Sequence, residues 1–186
     1  LEQPVFGDDG VLGGGFILPP GTAEWLKQIT IDHLLTHTTG AWTNDGQDPM
    51  FRYVAEDHAT LIANTLMDAE LTRPPGKAYA YSNFGYCLLG RVIEQVTGQS
   101  YDAFVREAIL RPAGADGMLI AGNVLSDRRP MEVVYHGDYA YEMNVRRMDS
   151  HGGWIGSATD VINFAQTVDG YKSVADTLSR KSTALM

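Results

Sequence analysis

PPGKAYAYSNFGYCLLGRVIEQVTGQSYDAFVREAILRPAGADGM, residues 74–118, is the stretch whose reading decides the fold. Pro74-Pro75-Gly76 breaks regular structure, and Lys77–Asn83 follows as a short extended segment. Residues two apart in such a segment share a face, so Tyr81 and Asn83 point the same way. The best helix of the chain comes next. Leu88, Leu89, Val92, Ile93 and Val96 form an apolar stripe, with Ser82 or Asn83 available as N-cap and Gly98 as the stop. Ser100 can cap a further helix through Leu110, which Arg111-Pro112 and Gly114 end. Cys87, the only cysteine, falls inside the apolar helical pattern and reads as a small buried hydrophobe.

Working outward, residues 1–28 read as irregular, punctuated by Gly13-Gly14-Gly15 and Pro19-Pro20-Gly21. Thr30 is an N-cap for Ile31, Leu34 and Leu35 at helical spacing, with Gly40 as the stop. After a loop at Trp42–Gly46, Asp48-Pro49 reads as N-cap plus first helical residue. It opens a helical region to about Leu71, broken near Asp57. On the far side, Val133-Val134-Tyr135 and Tyr139-Ala140-Tyr141 flank His136-Gly137-Asp138, which predicts a hairpin near 131–145. Ser157-Ala158-Thr159-Asp160 reads as a capping box before Val161, Phe164, Ala165 and Val168. The expected fold is mainly α with a small β component: an irregular segment 1–28, then one helical domain over 29–186.

Composition excludes several functions. Lys and Arg total 14 against 23 Asp and Glu, for a net charge of -9. The basic doublets are scattered, so no groove is built to hold a nucleic-acid backbone. No apolar run is long enough to span a bilayer. One cysteine allows neither an internal disulfide nor zinc-finger spacing. There is no Gly-x-Ser-x-Gly elbow, no His-Glu-x-x-His pair and no phosphate loop. Lys27, Lys77, Lys172 and Lys181 follow Glu24, Pro74, Asp169 and Leu178 at three positions' distance, so Ser-x-x-Lys is absent, as is Lys-Thr-Gly.

Three segments together carry a resemblance. ITIDHLLTHTTG (29–40), the 74–118 block and HGGWIGSATDVINFAQ (151–166) stand in the order found in the serine β-lactamase, penicillin-binding protein and family VIII esterase superfamily. The likeness is closest to its broad class C-like branch. It implies the helical domain of the β-lactamase/transpeptidase-like fold, lacking most of the α/β sheet domain. It also implies that Tyr81 matches the catalytic tyrosine and Asn83 the asparagine that binds a substrate amide. The residue types suit those roles. A phenol accepts a proton only where nearby cations stabilise the phenolate. A carboxamide donates and accepts at once, as holding an amide requires.

His151 precedes Gly152-Gly153, where chains of this superfamily pass the substrate pocket, so it is a substrate-binding candidate against a plain turn residue. His33 and His37 stand at i and i+4, a spacing able to present two metal ligands, but matching histidines in the superfamily have no metal role. His37 is instead expected to anchor a loop by hydrogen bonds, and His58 to lie on a helix surface. Trp42, Phe51, Tyr53 and Trp154 could line an acyl-group pocket, though core packing is the better reading of any single one. No cofactor and no metal is expected.

By the same resemblance, the nucleophilic serine and its lysine lie upstream of residue 29 and the third motif lies downstream on a sheet strand. Leu1 is not a methionine and both ends read as mid-sequence, so the chain is expected to be a piece of a two-domain enzyme. The parent is then a serine hydrolase acting on β-lactams, D-Ala peptides or esters through an acyl-serine intermediate, exported to the periplasm or beyond. The chain alone is expected to be inactive. The competing reading is a non-catalytic helical module that binds a ligand or partner.

Overall fold

Side-chain caps set most of the helix starts. The computed structural model describes residues 1–44, 48–68, 71–137 and 139–185. After α1 (Ala23–Leu26), Thr30 accepts from the His33 N–H and opens α2 (Ile31–Leu35). Asp48 caps α3 (Pro49–Arg52), with Pro49 in the first helical position, and Asp57 caps α4 (His58–Met67). The expected break near Asp57 is therefore present; Ala69 and Glu70, at the expected end of that region, lie outside the described residues. Ser82, rather than Asn83, caps α5 (Asn83–Thr97), and Gly98 stops it in the left-handed region at φ 68°. Ser100 caps α6 (Tyr101–Val105), which runs on as a π-helical turn over Arg106–Leu110. Ser157 and Asp160 close a capping box on α7 (Ala158–Ala165), and α8 (Arg180–Thr183) is last.

Two expectations on element bounds need correcting. α2 stops at Leu35, well before Gly40, because His37 takes φ 56° and turns the chain inward. Gly40 serves a different purpose. It holds φ 82°, and a Cβ there would come within 2.2 Å of the Arg73 carbonyl oxygen. That close approach lets Thr72 N–H donate to Gly40 O at 3.1 Å and draws 71–82 alongside 37–44. The hairpin expected near 131–145 is also absent. Among the described residues, 131–137 hold no strand and Tyr139–Tyr141 is a 3₁₀ turn, while Asp138 lies outside them, as do Asp45 and Gly46 of the 42–46 loop. Val133 and Val134 stay 69% and 79% exposed, and an uncovered two-stranded ribbon buries too little to form. The small β component is instead a long-range pair, β1 (Leu119–Ile120) antiparallel to β2 (Trp154–Ile155), with Leu119 opposite Ile155.

One apolar core holds these elements together. Val5, Phe6, Leu26, Ile29, Leu34, Leu61, Ile62, Leu66, Phe84, Cys87 and Leu88 are at most 1% exposed. Residues 1–28, expected to be irregular, in fact hold the 3₁₀ turn Gly13–Gly15 and α1, and their first residues are packed: Val5 N–H donates to Ile29 O at 2.8 Å, and Pro4 bridges Thr30. Cys87 is buried as expected, and burial pushes its thiol up to about 12. The buried face of α5 runs through Phe84, Cys87, Leu88, Arg91 and Val92, whereas Val96, near its free end, is 72% exposed. Among the described residues no helix is long and apolar enough to cross a membrane.

Candidate active site

Ser82 decides how the Tyr-Ser-Asn element is presented. Its hydroxyl turns inward to accept from Gly85 N–H at 3.0 Å, leaving Ser82 buried between half-exposed Tyr81 and part-buried Asn83. The segment is pinned from the 37–44 side. Ala80 N–H donates to His37 O at 2.8 Å, Ser82 N–H donates to His37 Nδ1 at 3.1 Å, and Asn44 N–H donates to Tyr81 O at 3.1 Å. The His37 ring packs against Tyr81 at 4.5 Å between centroids and stacks on Tyr86 at 4.9 Å. Burial holds its pKa below the ordinary value, which suits an imidazole whose Nδ1 accepts. His37 is the loop anchor the sequence led us to expect.

His33 does not join it. Its Nδ1 accepts from Thr30 N–H at 3.2 Å to complete the α2 cap. Since α2 ends at Leu35, the two histidines share no helix face. Among the described residues, no cluster of three His, Cys, Asp or Glu side chains is arranged to hold a metal ion.

A cavity of ≈ 360 Å³ opens beside Tyr81, lined also by His37, Tyr86, Tyr101, Ser150, His151, Gly152 and Trp154. It brings Tyr81 and His151 together. Asn83 is not among its lining residues; its carboxamide is turned to Asp48, with Nδ2 donating to Asp48 Oδ2 at 2.7 Å. Among the described residues no lysine or arginine lines the cavity, and Lys77 is exposed to solvent.

Long-range packing holds the His151 side in place. A Cβ on Gly90 would meet Ser150 Oγ at 2.4 Å, so the glycine lets α5 approach closely enough for Ser150 to donate to Tyr86 O at 2.8 Å. Next to it, buried Arg91 pairs with Asp149 at 2.6 Å and with Glu94 at 2.8 Å. Neither ring nitrogen of His151 has a partner among the described residues. Burial, opposed by Asp149, pulls its pKa down to about 4, so the ring is neutral at pH 7. His58, read from sequence as a surface residue, is instead part-buried. It lies 2.9 Å from Arg147 O and 3.7 Å from Asp149, because Arg147 draws the 144–150 segment over the start of α4.

Of the four candidate pocket aromatics, only Trp154 lines the cavity. Trp42 is a core residue, packed edge-on against Phe84 at 5.0 Å. The Tyr53 hydroxyl donates to Asp68, and Phe51 is 44% exposed.

Family comparison matches this arrangement of residues over the whole chain, with Beta-lactamase spanning 1–186. The chain belongs to the beta-lactamase family. Among its curated relatives, penicillin-binding protein 4 of Amycolatopsis lactamdurans is 27% identical over 164 residues, 77% of this chain and 39% of that protein. Penicillin-binding protein 4* of Bacillus subtilis (strain 168) is 31% identical over 132 residues, 66% of this chain and 28% of that protein. The chain thus spans well under half the length of these relatives. In fold it is similar to a D-stereospecific amidohydrolase from Streptomyces sp., with TM-score 0.67 and 22% identity over 90% of this chain and 53% of that one.

For a member of the beta-lactamase family, the motif residues were open to sequence reading but the rest of the cavity wall was not. Tyr86, Tyr101 and Ser150 carry no local signal that sets them apart. Tyr86 lies five residues after Tyr81 and reaches the same cavity only because α5 starts at Asn83. The one available hint was Gly90, a glycine in mid-helix that marks a close approach.

Proposed function

We propose that this chain is the helical part of a serine hydrolase of β-lactamase, D-Ala carboxypeptidase or esterase type, whose nucleophile and third motif lie outside these 186 residues. The observation that carries the reading is Tyr81, half exposed at the cavity with its backbone pinned on both sides, in a chain of this family. Tyr81 is the proton-transfer residue, Asn83 holds the substrate amide, and neutral His151 offers one donor and one acceptor to the substrate. Acylation would occur on a serine of the parent protein, in the Ser-x-x-Lys arrangement this chain lacks.

Further features support a partner domain. The relatives are more than twice this chain's length. Helix α7 has the apolar residues Val161 and Ile162 51% and 57% exposed, which a packed layer would cover. Among the described residues the cavity is lined by no lysine or arginine to stabilise a phenolate, and with Ser-x-x-Lys also missing the reading has the chain alone form no acyl-enzyme. By its resemblance the parent is an exported protein.

Labelling with a fluorescent penicillin and a fluorophosphonate tests this. The 186-residue chain should stay unlabelled, while the full-length protein takes up one equivalent and loses that labelling rate in Tyr81→Phe. Stoichiometric labelling of the short chain, or none of the full-length protein by either reagent, would overturn the proposal.

A further inference from the structure

His151 stands in the cavity wall, yet both of its ring nitrogens are buried and neither has a partner among the described residues. A neutral imidazole carries one N–H and one lone pair, and both go unused here. Enclosing them is unfavourable, so the ring is weakly held where it sits. The main chain around it is fixed: His151 N–H and Gly153 N–H both donate to Met148 O, at 3.1 Å and 2.8 Å. The side chain is the part left free to move.

A proton on that ring would meet no spare counter-charge. The charged and titratable groups around it are Asp149, Arg147 on the 3₁₀ turn Val145–Met148, His58 on α4 and Arg91 on α5. Asp149 is the one carboxylate among them, and both its oxygens are engaged. Its Oδ2 accepts from Arg91 at 2.6 Å and its Oδ1 from Ser150 N–H at 2.7 Å. Arg91 is also paired with Glu94 at 2.8 Å, so two guanidinium groups already stand against two carboxylates. His58 crowds the same carboxylate at 3.7 Å. A carbonyl only accepts, so His58 Nε2 is the donor to Arg147 O at 2.9 Å. An imidazolium at position 151 would be surplus positive charge in a buried site, with no acceptor for either N–H.

The cavity offers that charge a better place. Tyr81, Tyr86, Tyr101 and Trp154 line it, and the face of an aromatic ring attracts a cation. Among the described residues no lysine, arginine or carboxylate lines it, and its one further titratable group is His37. Space is available as well, since a Cβ on neighbouring Gly152 would meet no atom within 4 Å.

We infer that His151 is an acid-operated side chain of the cavity wall: neutral, its ring stays enclosed; protonated, it turns out among Tyr81, Tyr101 and Trp154 and puts a cation where a ligand would sit. Acid then selects the turned-out position, because only there is the imidazolium solvated. The device needs only this chain and its cavity, and it goes beyond the hydrolase reading without depending on it.

NMR of the 186-residue chain across the acid range tests this. The His151 Cε1–H signal, assigned through the backbone, should titrate with a midpoint between about 4, where burial alone holds the ring, and the ordinary 6.5. In that step it should become open to broadening by TEMPOL, an uncharged nitroxide, from which it is shielded at pH 7. The Trp154 indole N–H should shift with the same midpoint while far-UV circular dichroism stays constant. His151→Asn should abolish the Trp154 step and spare any step that His37 contributes. TEMPOL contact already at pH 7, or protonation with no gain in contact, would overturn the inference from the wild-type chain alone, even if the variant does not fold. A Trp154 step that persists in a folded His151→Asn would assign it to another group. Loss of helix before His151 titrates would show unfolding in place of a side-chain turn.

Discussion

His151 is the residue where burial and chemistry meet most directly. Its pKa falls from the ordinary 6.5 to about 4, chiefly because burial penalises the imidazolium. The folded chain therefore binds fewer protons than the unfolded one between those values. Stability is full above pH 6.5, falls as the pH drops towards 4, and is then flat for this group. One group of this kind costs about 1.4 kcal/mol per pH unit inside that window, or about 2 kcal/mol between pH 6.5 and 5. His37 and His58 are shifted in the same direction, also by burial, and steepen the loss. Urea titrations at pH 7 and pH 5 should show a smaller difference for His151→Asn than for wild type. An identical pH slope in the two proteins would mean that His151 already carries a proton in the folded state. The comparison of slopes isolates the charge, since any packing defect in the variant is present at both pH values.

Among the elements, the connection between α3 and α4 depends on a side chain from far along the sequence. Arg147 is 4% exposed and donates to the carbonyls of Met50, Tyr53 and Glu56, joining α3 and its exit to the 3₁₀ turn Val145–Met148. Arg147→Met removes the charge but strands those carbonyls, and should cost about 3 kcal/mol in chemical denaturation. A loss within about 0.5 kcal/mol, the range of ordinary surface changes, would show the carbonyls to be served by other groups. The same side chain explains what could be read from sequence. Caps are local chemistry, so Thr30, Asp48, Ser100 and Ser157 could all be assigned from their neighbours. Tyr81 and Asn83 stood out for their place in an ordered set of motifs. By contrast, the β1–β2 pairing, the Arg91–Asp149 pair and the Tyr86–Ser150 contact join residues 34 or more positions apart. Their partners are chosen by tertiary packing, which leaves no trace in local periodicity. The hairpin near 131–145 is missing for the complementary reason: its local pattern was right, but among the described residues no layer covers it.

Across the whole molecule, an aromatic chain links the first residues to the motif helix. Phe6 is 1% exposed and meets Trp42 edge-on at 6.4 Å, and Trp42 meets Phe84 at 5.0 Å in the first turn of α5. An irregular segment built this way belongs to the same cooperative unit as the helices, despite its lack of regular hydrogen bonding. Removing the Phe6 ring leaves a cavity between the N-terminal segment and Trp42, with little freedom for the surrounding helices to collapse into it. Phe6→Ala should therefore destabilise the chain by about 3–5 kcal/mol, a large share of the stability of a domain this size. Far-UV circular dichroism, which reports the helices, and tryptophan fluorescence, which reports Trp25, Trp42 and Trp154 together, should shift to the same new midpoint. If residues 1–28 were instead an independent appendage, the helical signal would melt at its wild-type midpoint. Only the fluorescence would then move, because Trp25 and Trp42 sense the N-terminal packing directly. A coincident shift places the support of the Tyr81–Asn83 element partly in a segment that holds none of the motif residues.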